Sequence, residues 1–282
     1  MGYMHIEHLY RSVEIMQFKE CYALEKIHGT SAHIAWKDGQ IRFFAGGGKH
    51  DAFITLFDEE NLNKVWKEQF DVDMIIYGES YGDKCQGMSA TYGKEPKFVA
   101  FDVKIDGIWL DVPNAEDVAN KFGLDFVSYV KISTDLKSLN AERDRQSMQA
   151  LKNGIKEIKK REGVVLRPLT EMTKSNGKRI IVKHKGAEFM ETKTPREVDP
   201  NKLRILKEAM AISDEWVTPN RLEHVLDHLG NPNEIEKTGE VIKAMIEDII
   251  REAEGEIVDS KVARNAIAKH TSKLYKAKIS KL

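Results

Sequence analysis

The chain has 282 residues, with 44 lysines and arginines against 45 aspartates and glutamates, so its formal net charge is −1. Hydrophobic residues make up 41% and charged residues 32% of the sequence, which is ordinary for a globular protein and excludes a collagen-like or long disordered chain. Cys21 and Cys85 are its only cysteines, which excludes a disulfide scaffold and favours a reducing compartment. Without a secretory leader or a long apolar run, the sequence predicts a cytoplasmic protein that does not enter a membrane.

The first two thirds of the chain predict antiparallel β structure with inserted helices. Pairs of the type Xaa-Gly mark hairpin turns, because they tolerate the positive φ angles that such turns need. These pairs are Asp38-Gly39 between runs 31–36 and 41–45, Asp106-Gly107 between runs 98–103 and 108–112, and Asn176-Gly177 before run 179–185. Helices are predicted over 58–70, from an N-cap at Asn114 to the residue before Gly123, and over roughly 140–160.

Beyond Pro195 the pattern changes to apolar positions at a period of 3.6 residues. The sequence predicts helices over 201–212, 219–229, 234–254 and 260–279, and Thr218-Pro219 supplies an N-cap followed by proline at the first helical position. No strand pattern is present there. We therefore expect one domain over residues 1–195 and a small all-helical domain over residues 201–282.

A candidate nucleophile, Lys26, lies where a predicted strand gives way to a loop that contains Gly29. A lysine attacks phosphorus or a carbonyl only when neighbouring groups hold its target in place. Four further segments supply acids, cations and an aromatic residue in chain order, namely Tyr77-Gly78-Glu79, Phe98-Val99-Ala100-Phe101-Asp102, Glu162-Gly163-Val164-Val165-Leu166-Arg167 and Val182-Lys183-His184-Lys185. Lys183 and Lys185 are two residues apart on a strand, so both side chains project from the same face.

Taken together, the five segments resemble the motifs of the covalent nucleotidyltransferases, a superfamily of RNA ligases, DNA ligases and mRNA capping enzymes. Lys-Ile-His-Gly is similar to the nucleophile motif, and the resemblance covers residues 20–190. Two features resemble the RNA ligase 2 family most closely. They are His28, two positions after the lysine, and the helical tail. The resemblance implies an α+β fold, in which an antiparallel-sheet nucleotidyltransferase domain of ATP-grasp-like ligase type precedes the helical domain.

The same resemblance implies a role for each motif residue. Lys26 would be the catalytic nucleophile that attacks the α-phosphorus of ATP. Lys183 and Lys185 would hold phosphate oxygens, Phe101 would stack on adenine, Glu79 would bind the ribose, and Glu162 would orient Mg²⁺, with Mn²⁺ as a substitute. The nucleotide-binding set is Glu25, Ile27, His28, Gly29, Arg42, Glu79, Phe101, Glu162, Val164, Lys183 and Lys185.

Two positions depart from the RNA ligase 2 pattern. Ser31 stands where the family usually has asparagine, and Ala45-Gly46-Gly47-Gly48-Lys49 stands where the family has an arginine-containing element that helps to hold phosphate. Arg42, Lys49 or the backbone N–H groups of the glycine-rich loop could take over that task.

The resulting expectation is an ATP-dependent RNA ligase that joins a 3′-hydroxyl to a 5′-phosphate through lysine-AMP and RNA-adenylate intermediates. Basic residues without an offsetting acid follow Ser260, and Lys269, Lys273 and Lys276 share one helical face, so we expect them to bind RNA. The alternatives are a DNA ligase or capping-type enzyme, and an inactive nucleic-acid-binding protein on the same fold. The RNA substrate's form and the oligomeric state stay open.

Overall fold

The computed structural model describes residues 2–174, 176–190 and 196–280. The chain divides into two compact units, Met1–Glu197 and Val198–Leu282. Among the described residues, no helix combines the length and the apolar character that a membrane span requires.

Two five-stranded sheets form the frame of the first unit. One sheet has the strand order β1-β10-β9-β2-β8 and the other β4-β3-β5-β6-β7. The pairing is antiparallel except between β1 and β10, which are parallel. The strands are β1 (Glu7–His8), β2 (Glu20–Lys26), β3 (Thr30–Lys37), β4 (Gln40–Phe44), β5 (Met74–Tyr81), β6 (Lys97–Ile105), β7 (Ile108–Trp109), β8 (Tyr129–Ser133), β9 (Gly163–Pro168) and β10 (Val182–Lys185).

The register of the first sheet places residues of three motif segments side by side on neighbouring strands. Lys26 at the end of β2 lies opposite Gly163 at the start of β9, and Gly163 also lies opposite Lys185 at the end of β10. Gly163 has a φ of +154°, and a Cβ there would lie 2.2 Å from the His184 carbonyl oxygen. Glycine at this position therefore allows the strands that carry the two lysines to close on either side of it.

Short helices connect and cover the sheets of the first unit. They are α1 (His50–Ile54), α2 (Glu59–Gln69), α3 (Ser89–Tyr92), α4 (Val112–Lys121), α5 (Leu136–Arg143) and α6 (Met148–Lys152). Apolar residues of the second sheet, α2 and α4 form the main core, with Ile34, Trp66, Ile76, Val103 and Ala115 fully buried. Burial of such side chains is the main source of stability for an antiparallel sheet with one covered face.

The second unit is built from helices. They are α7 (Pro200–Trp216), α8 (Pro219–His228), α9 (Thr238–Glu252) and α10 (Lys261–Ile279), and no strand occurs among its described residues, 198–280. Its core contains Val241, Met245, Ile249, Ile267 and Tyr275, all fully buried. The Tyr275 hydroxyl donates to the carbonyl oxygens of Pro232 and Glu234, so the buried ring also fixes the segment that precedes α9.

The α+β class, the hairpins at Asp38-Gly39 and Asp106-Gly107, the N-cap of α8 at Thr218 and the presence of helices α2 and α10 confirm the sequence predictions. Three local predictions were wrong. The helix expected from Asn114 begins at Val112 after Asp111, because Pro113 is compatible with a first turn. The helix expected over 140–160 is two helices, separated before the Ser147 N-cap and ended by Gly154 at a φ of +81°. The strand expected over 179–185 begins only at Val182.

Candidate active site

The Glu162 carboxylate is the centre of a buried cluster of charges. The Lys26 ammonium donates to its Oε2 at 2.9 Å, and the His28 Nδ1 lies 3.1 Å from the same oxygen. The Lys185 ammonium lies 2.9 Å from Oε1. Only 2% of the Glu162 side chain is exposed, against 23% for Lys26, so the lysine is the more accessible partner. The cluster thus fixes Lys26, whose side chain stays partly exposed.

The protonation state of Glu162 follows from its neighbours. Burial alone would raise the pKa of this carboxyl, but the ammonium groups of Lys26 and Lys185 outweigh burial and hold its pKa below the ordinary value. Glu162 is therefore an anion at neutral pH, and it can keep the two lysines in place without a metal ion.

Gly29 brings the loop after Lys26 against the end of β5. A Cβ at Gly29 would lie 2.4 Å from the Ser80 carbonyl oxygen, so no other residue fits without moving the strand. The Gly29 N–H donates to the Glu79 carboxylate at 3.1 Å. The loop between Lys26 and β3 is therefore held by an acid of the second sheet.

Glu79 is the titratable carboxyl of the site. Burial raises its pKa to about 7, the Glu162 anion adds to the rise, and the Lys26 ammonium and the Gly29 N–H oppose it. The carboxyl therefore exchanges a proton near neutral pH, and it can either donate to or accept from a ligand hydroxyl.

The Glu25 side chain points away from Lys26 and caps a helix. Its carboxylate accepts from the Ser147 hydroxyl at 2.6 Å and from the backbone N–H groups of Met148 and Gln149 at 2.9 and 3.2 Å. The prediction that Glu25 contacts a nucleotide does not hold for its side chain, which is occupied at the N-terminus of α6. A similar correction applies to Val164, which is fully buried and exposes no surface to a ligand.

Ile27, the other apolar member of the predicted set, is also buried, at 3% exposure, and packs in the main core. The backbone N–H of His28, the next residue, donates to the Tyr92 hydroxyl at 3.3 Å. No local pattern pointed to Tyr92, since a tyrosine on a four-residue helix has no periodic pattern around it. Contacts from both sides therefore fix the backbone of the Lys26 loop.

Phe101 lies on β6 beside a buried ionic network. Its ring packs edge-on against Tyr3 at 4.9 Å, and the Tyr3 hydroxyl donates to Asp102 at 2.6 Å. Arg167 and Arg179 donate to the two oxygens of Asp102 at 3.0 and 2.6 Å. Sequence reasoning missed this network, because Asp102 is 65 and 77 residues away in the chain from the two arginines that it binds. The network ties β6, β9 and the segment before β10 together beneath Phe101.

Arg42 lies away from the start of β3, whereas the glycine-rich loop packs directly on it. Arg42 pairs in register with Ala35, four residues along β3 from Ser31, which is about 13 Å at the rise of a strand. Its guanidinium lies 3.7 Å from Asp38 at the hairpin turn. A Cβ at Gly46 would lie 2.3 Å from the Ser31 carbonyl oxygen, so the loop 45–49 packs directly on the start of β3.

The remaining predicted residues lie on β10 and α10. Lys183 is half-buried and shares a face of β10 with Lys185. Lys273 and Lys276 are exposed on α10, and Lys269 is half-buried. Lys269, Lys273 and Lys276 belong to the second unit, apart from the residues that meet at Glu162.

A sequence model of the RNA ligase family matches residues 19–185, which is more than half of the chain and includes every residue of the Glu162 cluster. The chain belongs to the RNA ligase family. No curated protein matches this RNA ligase family member.

Solved structures of Naegleria gruberi RNA ligase share the fold of this RNA ligase family member. The complex with PPi is 18% identical, with a TM-score of 0.51, over 68% of this chain and 57% of that chain. A mutant with ATP and Mn is 17% identical, with a TM-score of 0.52, over 68% of this chain and 57% of that chain. This RNA ligase family member therefore spans a little over half of the length of those proteins.

Proposed function

We propose that this protein is an ATP-dependent RNA ligase that joins a 3′-hydroxyl to a 5′-phosphate through a lysine-AMP intermediate. The observation that carries the proposal is the Glu162 cluster, in which a buried anion lies between the partly exposed Lys26 and a second lysine. Family membership and the ATP complex of the Naegleria gruberi ligase support ATP as the substrate.

In the first step the Lys26 amine attacks the α-phosphorus of ATP, a nitrogen–phosphorus bond forms, and pyrophosphate leaves. Lys185 and Lys183 stabilise the negative charge that develops on the phosphate oxygens. Glu162 fixes Lys26 and Lys185 before reaction, so little reorganisation is needed when the negative charge develops. Glu79 and Phe101 bind the ribose and the adenine.

In the second step the AMP moves from Lys26 to the 5′-phosphate of RNA, and in the third the RNA 3′-hydroxyl displaces AMP to form the phosphodiester. Both steps are in-line transfers at phosphorus, so the same cations serve again. The glycine-rich loop 45–49 replaces the family's arginine as a phosphate-contacting element, since it packs on Ser31 whereas Arg42 is held at the distal hairpin turn.

A divalent metal ion fits this donor set only together with the substrate. Among the described residues no three His, Cys, Asp or Glu side chains cluster as metal ligands. Mg²⁺ typically takes one or two protein carboxylates, with water and phosphate oxygens as its other ligands. Glu162, whose oxygens contact Lys26, His28 and Lys185, would orient the ion through water. When bound, the metal ion would neutralise phosphate charge. The Mn-containing Naegleria gruberi complexes support this role.

Labelling with [α-³²P]ATP followed by denaturing electrophoresis tests the proposal. The wild-type chain should retain label, and Lys26→Ala and Lys26→Arg should retain none, because neither side chain supplies an amine that can lose a proton near neutral pH. Lys19→Arg on the exposed end before β2 is the matched control and should label normally. Label on a Lys26 variant would place the nucleophile elsewhere, and an unlabelled wild-type chain would favour an inactive binding protein.

A further inference from the structure

The segment just before Glu162 carries a concentration of positive charge that the ATP chemistry does not use. Between residues 145 and 161 the sequence has six basic residues and one acid, in a chain whose net charge is −1. The basic residues are Arg145, Lys152, Lys156, Lys159, Lys160 and Arg161, and the acid is Glu157. Arg161 is buried against Glu142, Lys159 is half-buried with its ammonium 4.0 Å from Glu157, and the other four are exposed. We call residues 154–160 the basic loop.

The base of the basic loop is fixed and its tip is exposed. The Ser147 N–H donates to the Lys159 carbonyl oxygen at 2.7 Å, and the Ile155 N–H donates to that of Ala150 at 3.1 Å. The tip carries Ile158, which at 81% is the most exposed large apolar side chain among the described residues. The loop thus presents one apolar side chain to solvent within a run of three lysines, Lys156, Lys159 and Lys160, so a ligand bound there would meet both charge and apolar surface.

The basic loop lies at the rim of the candidate active site. Lys160 is two residues before Glu162, and its ammonium lies 3.3 Å from Glu188. Phe189, the next residue, has its ring 5.8 Å from that of His28. The Lys160 and Glu188 side chains are 70% and 51% exposed, and an ion pair that open is readily exchanged for another anion.

We propose that the basic loop binds the sugar-phosphate backbone of the RNA strand whose end is joined, with Ile158 packing on a ribose or base. The proposal rests on the proposed function, in which the RNA 5′-phosphate must reach the AMP on Lys26. Phosphates next to that end must then pass the rim, where the lysines of the basic loop supply positive charge. A second RNA contact thus lies in the first unit, in addition to that expected of α10.

The double variant Lys156→Gln with Lys160→Gln tests the proposal. Binding of a fluorescent, nicked RNA duplex without ATP is measured by anisotropy at several salt concentrations. Loss of two phosphate contacts should lower the slope of log K against log salt by about 1.4–1.8 and weaken binding about tenfold at low salt. Ile158→Ser should weaken binding about threefold with an unchanged slope, because it removes apolar contact but no charge.

Lys64→Gln with Lys67→Gln on exposed positions of α2 is the matched control, because it removes the same charge from the same unit. An equal effect in this control, a basic-loop variant that binds like wild type, or a wild-type chain that binds no RNA would overturn the proposal. Self-adenylylation, which needs no RNA, is measured in parallel. Its absence in the wild-type chain rejects the proposed function, while the binding comparison still decides the role of the basic loop.

Discussion

Glu162 and Glu79 are neighbouring carboxyls to which the structure gives different protonation states. Lys26 and Lys185 hold the pKa of Glu162 below its ordinary value, whereas burial raises the pKa of Glu79 to about 7. The difference arises because Glu162 has two cations within 3 Å, whereas Glu79 accepts, among the described residues, one hydrogen bond from the Gly29 N–H. The charge of Glu79, and with it the charge of the site, therefore changes with pH near neutrality.

We expect Glu79→Gln to gain stability relative to wild type as pH rises from 4.5 to 7. In this window the native Glu79 keeps a proton that the unfolded chain has lost, so wild-type stability falls, whereas glutamine does not titrate. The difference should approach about 3 kcal/mol above pH 7. Urea unfolding at pH 5 and pH 8 measures it. Glu68→Gln, at an exposed position, is the control, and a pH-independent difference for Glu79→Gln would contradict the assignment.

Alanine at Lys183 or Lys185 should slow the chemistry, and alanine at Lys185 should also lower the stability of the fold. Replacing either by alanine should slow adenylylation by about 10²-fold, because each removes charge stabilisation from the transition state. Lys185→Ala should also lower the free energy of unfolding, by about 3 kcal/mol or more, because it leaves Glu162 buried with one cation fewer. Single-turnover labelling and denaturant unfolding separate the two effects. Wild-type labelling rates in both variants would remove these lysines from the phosphate site.

At the scale of elements, side-chain contacts on both faces of β2 hold this strand in place. Lys26 turns toward Glu162, and the preceding Glu25 turns toward α6, because successive side chains of a strand alternate. The cap on α6 therefore fixes the residue next to the nucleophile. Glu25 is a positioning residue, which acts through the backbone of Lys26.

Glu25→Ala should destabilise the first unit by about 1–3 kcal/mol, because the N–H groups of Met148 and Gln149 lose their acceptor. Glu25→Gln keeps an acceptor oxygen and should restore most of the loss. The labelling rate at saturating ATP should fall with alanine and recover with glutamine. Glu20→Ala, at the exposed start of β2, is the control. Equal labelling rates in all three variants would leave Glu25 a purely structural residue.

At the scale of the whole molecule, each unit has a core of its own. The first is built around the two sheets and the second around α8, α9 and α10. All residues of the Glu162 cluster belong to the first unit, whereas the face with Lys269, Lys273 and Lys276 belongs to the second. Because each unit has its own core, we expect the first unit to carry out adenylylation by itself and the second unit to contribute to RNA sealing.

A chain that ends at residue 197 should therefore fold, label with AMP and seal RNA poorly. Reversing the charge of Lys269, Lys273 and Lys276 in the full chain should weaken RNA binding and lower its salt dependence by about 0.7–0.9 per lost phosphate contact. Gel-based sealing assays and anisotropy measure the two effects.

The control for these variants is charge reversal at exposed lysines elsewhere in the second unit, namely Lys202, Lys207 and Lys243. If the shortened chain seals as well as the full chain, or the α10 variant binds RNA no worse than the control, α10 is not an RNA-binding element.

The sequence by itself determined what is local or periodic. Xaa-Gly turns specified two hairpins, Thr218 specified the N-cap of α8, and five short motifs specified the family. Such features depend on neighbours along the chain, so they can be recognised without a structure.

Only the tertiary structure decided which way each side chain points and what it meets. Glu25 and Glu162 are both acids beside a motif, yet one caps α6 and the other holds Lys26. Arg42 was a candidate phosphate ligand until the register of β4 placed it near Asp38. These outcomes depend on strand register and on contacts between residues far apart in the chain, which local pattern does not encode.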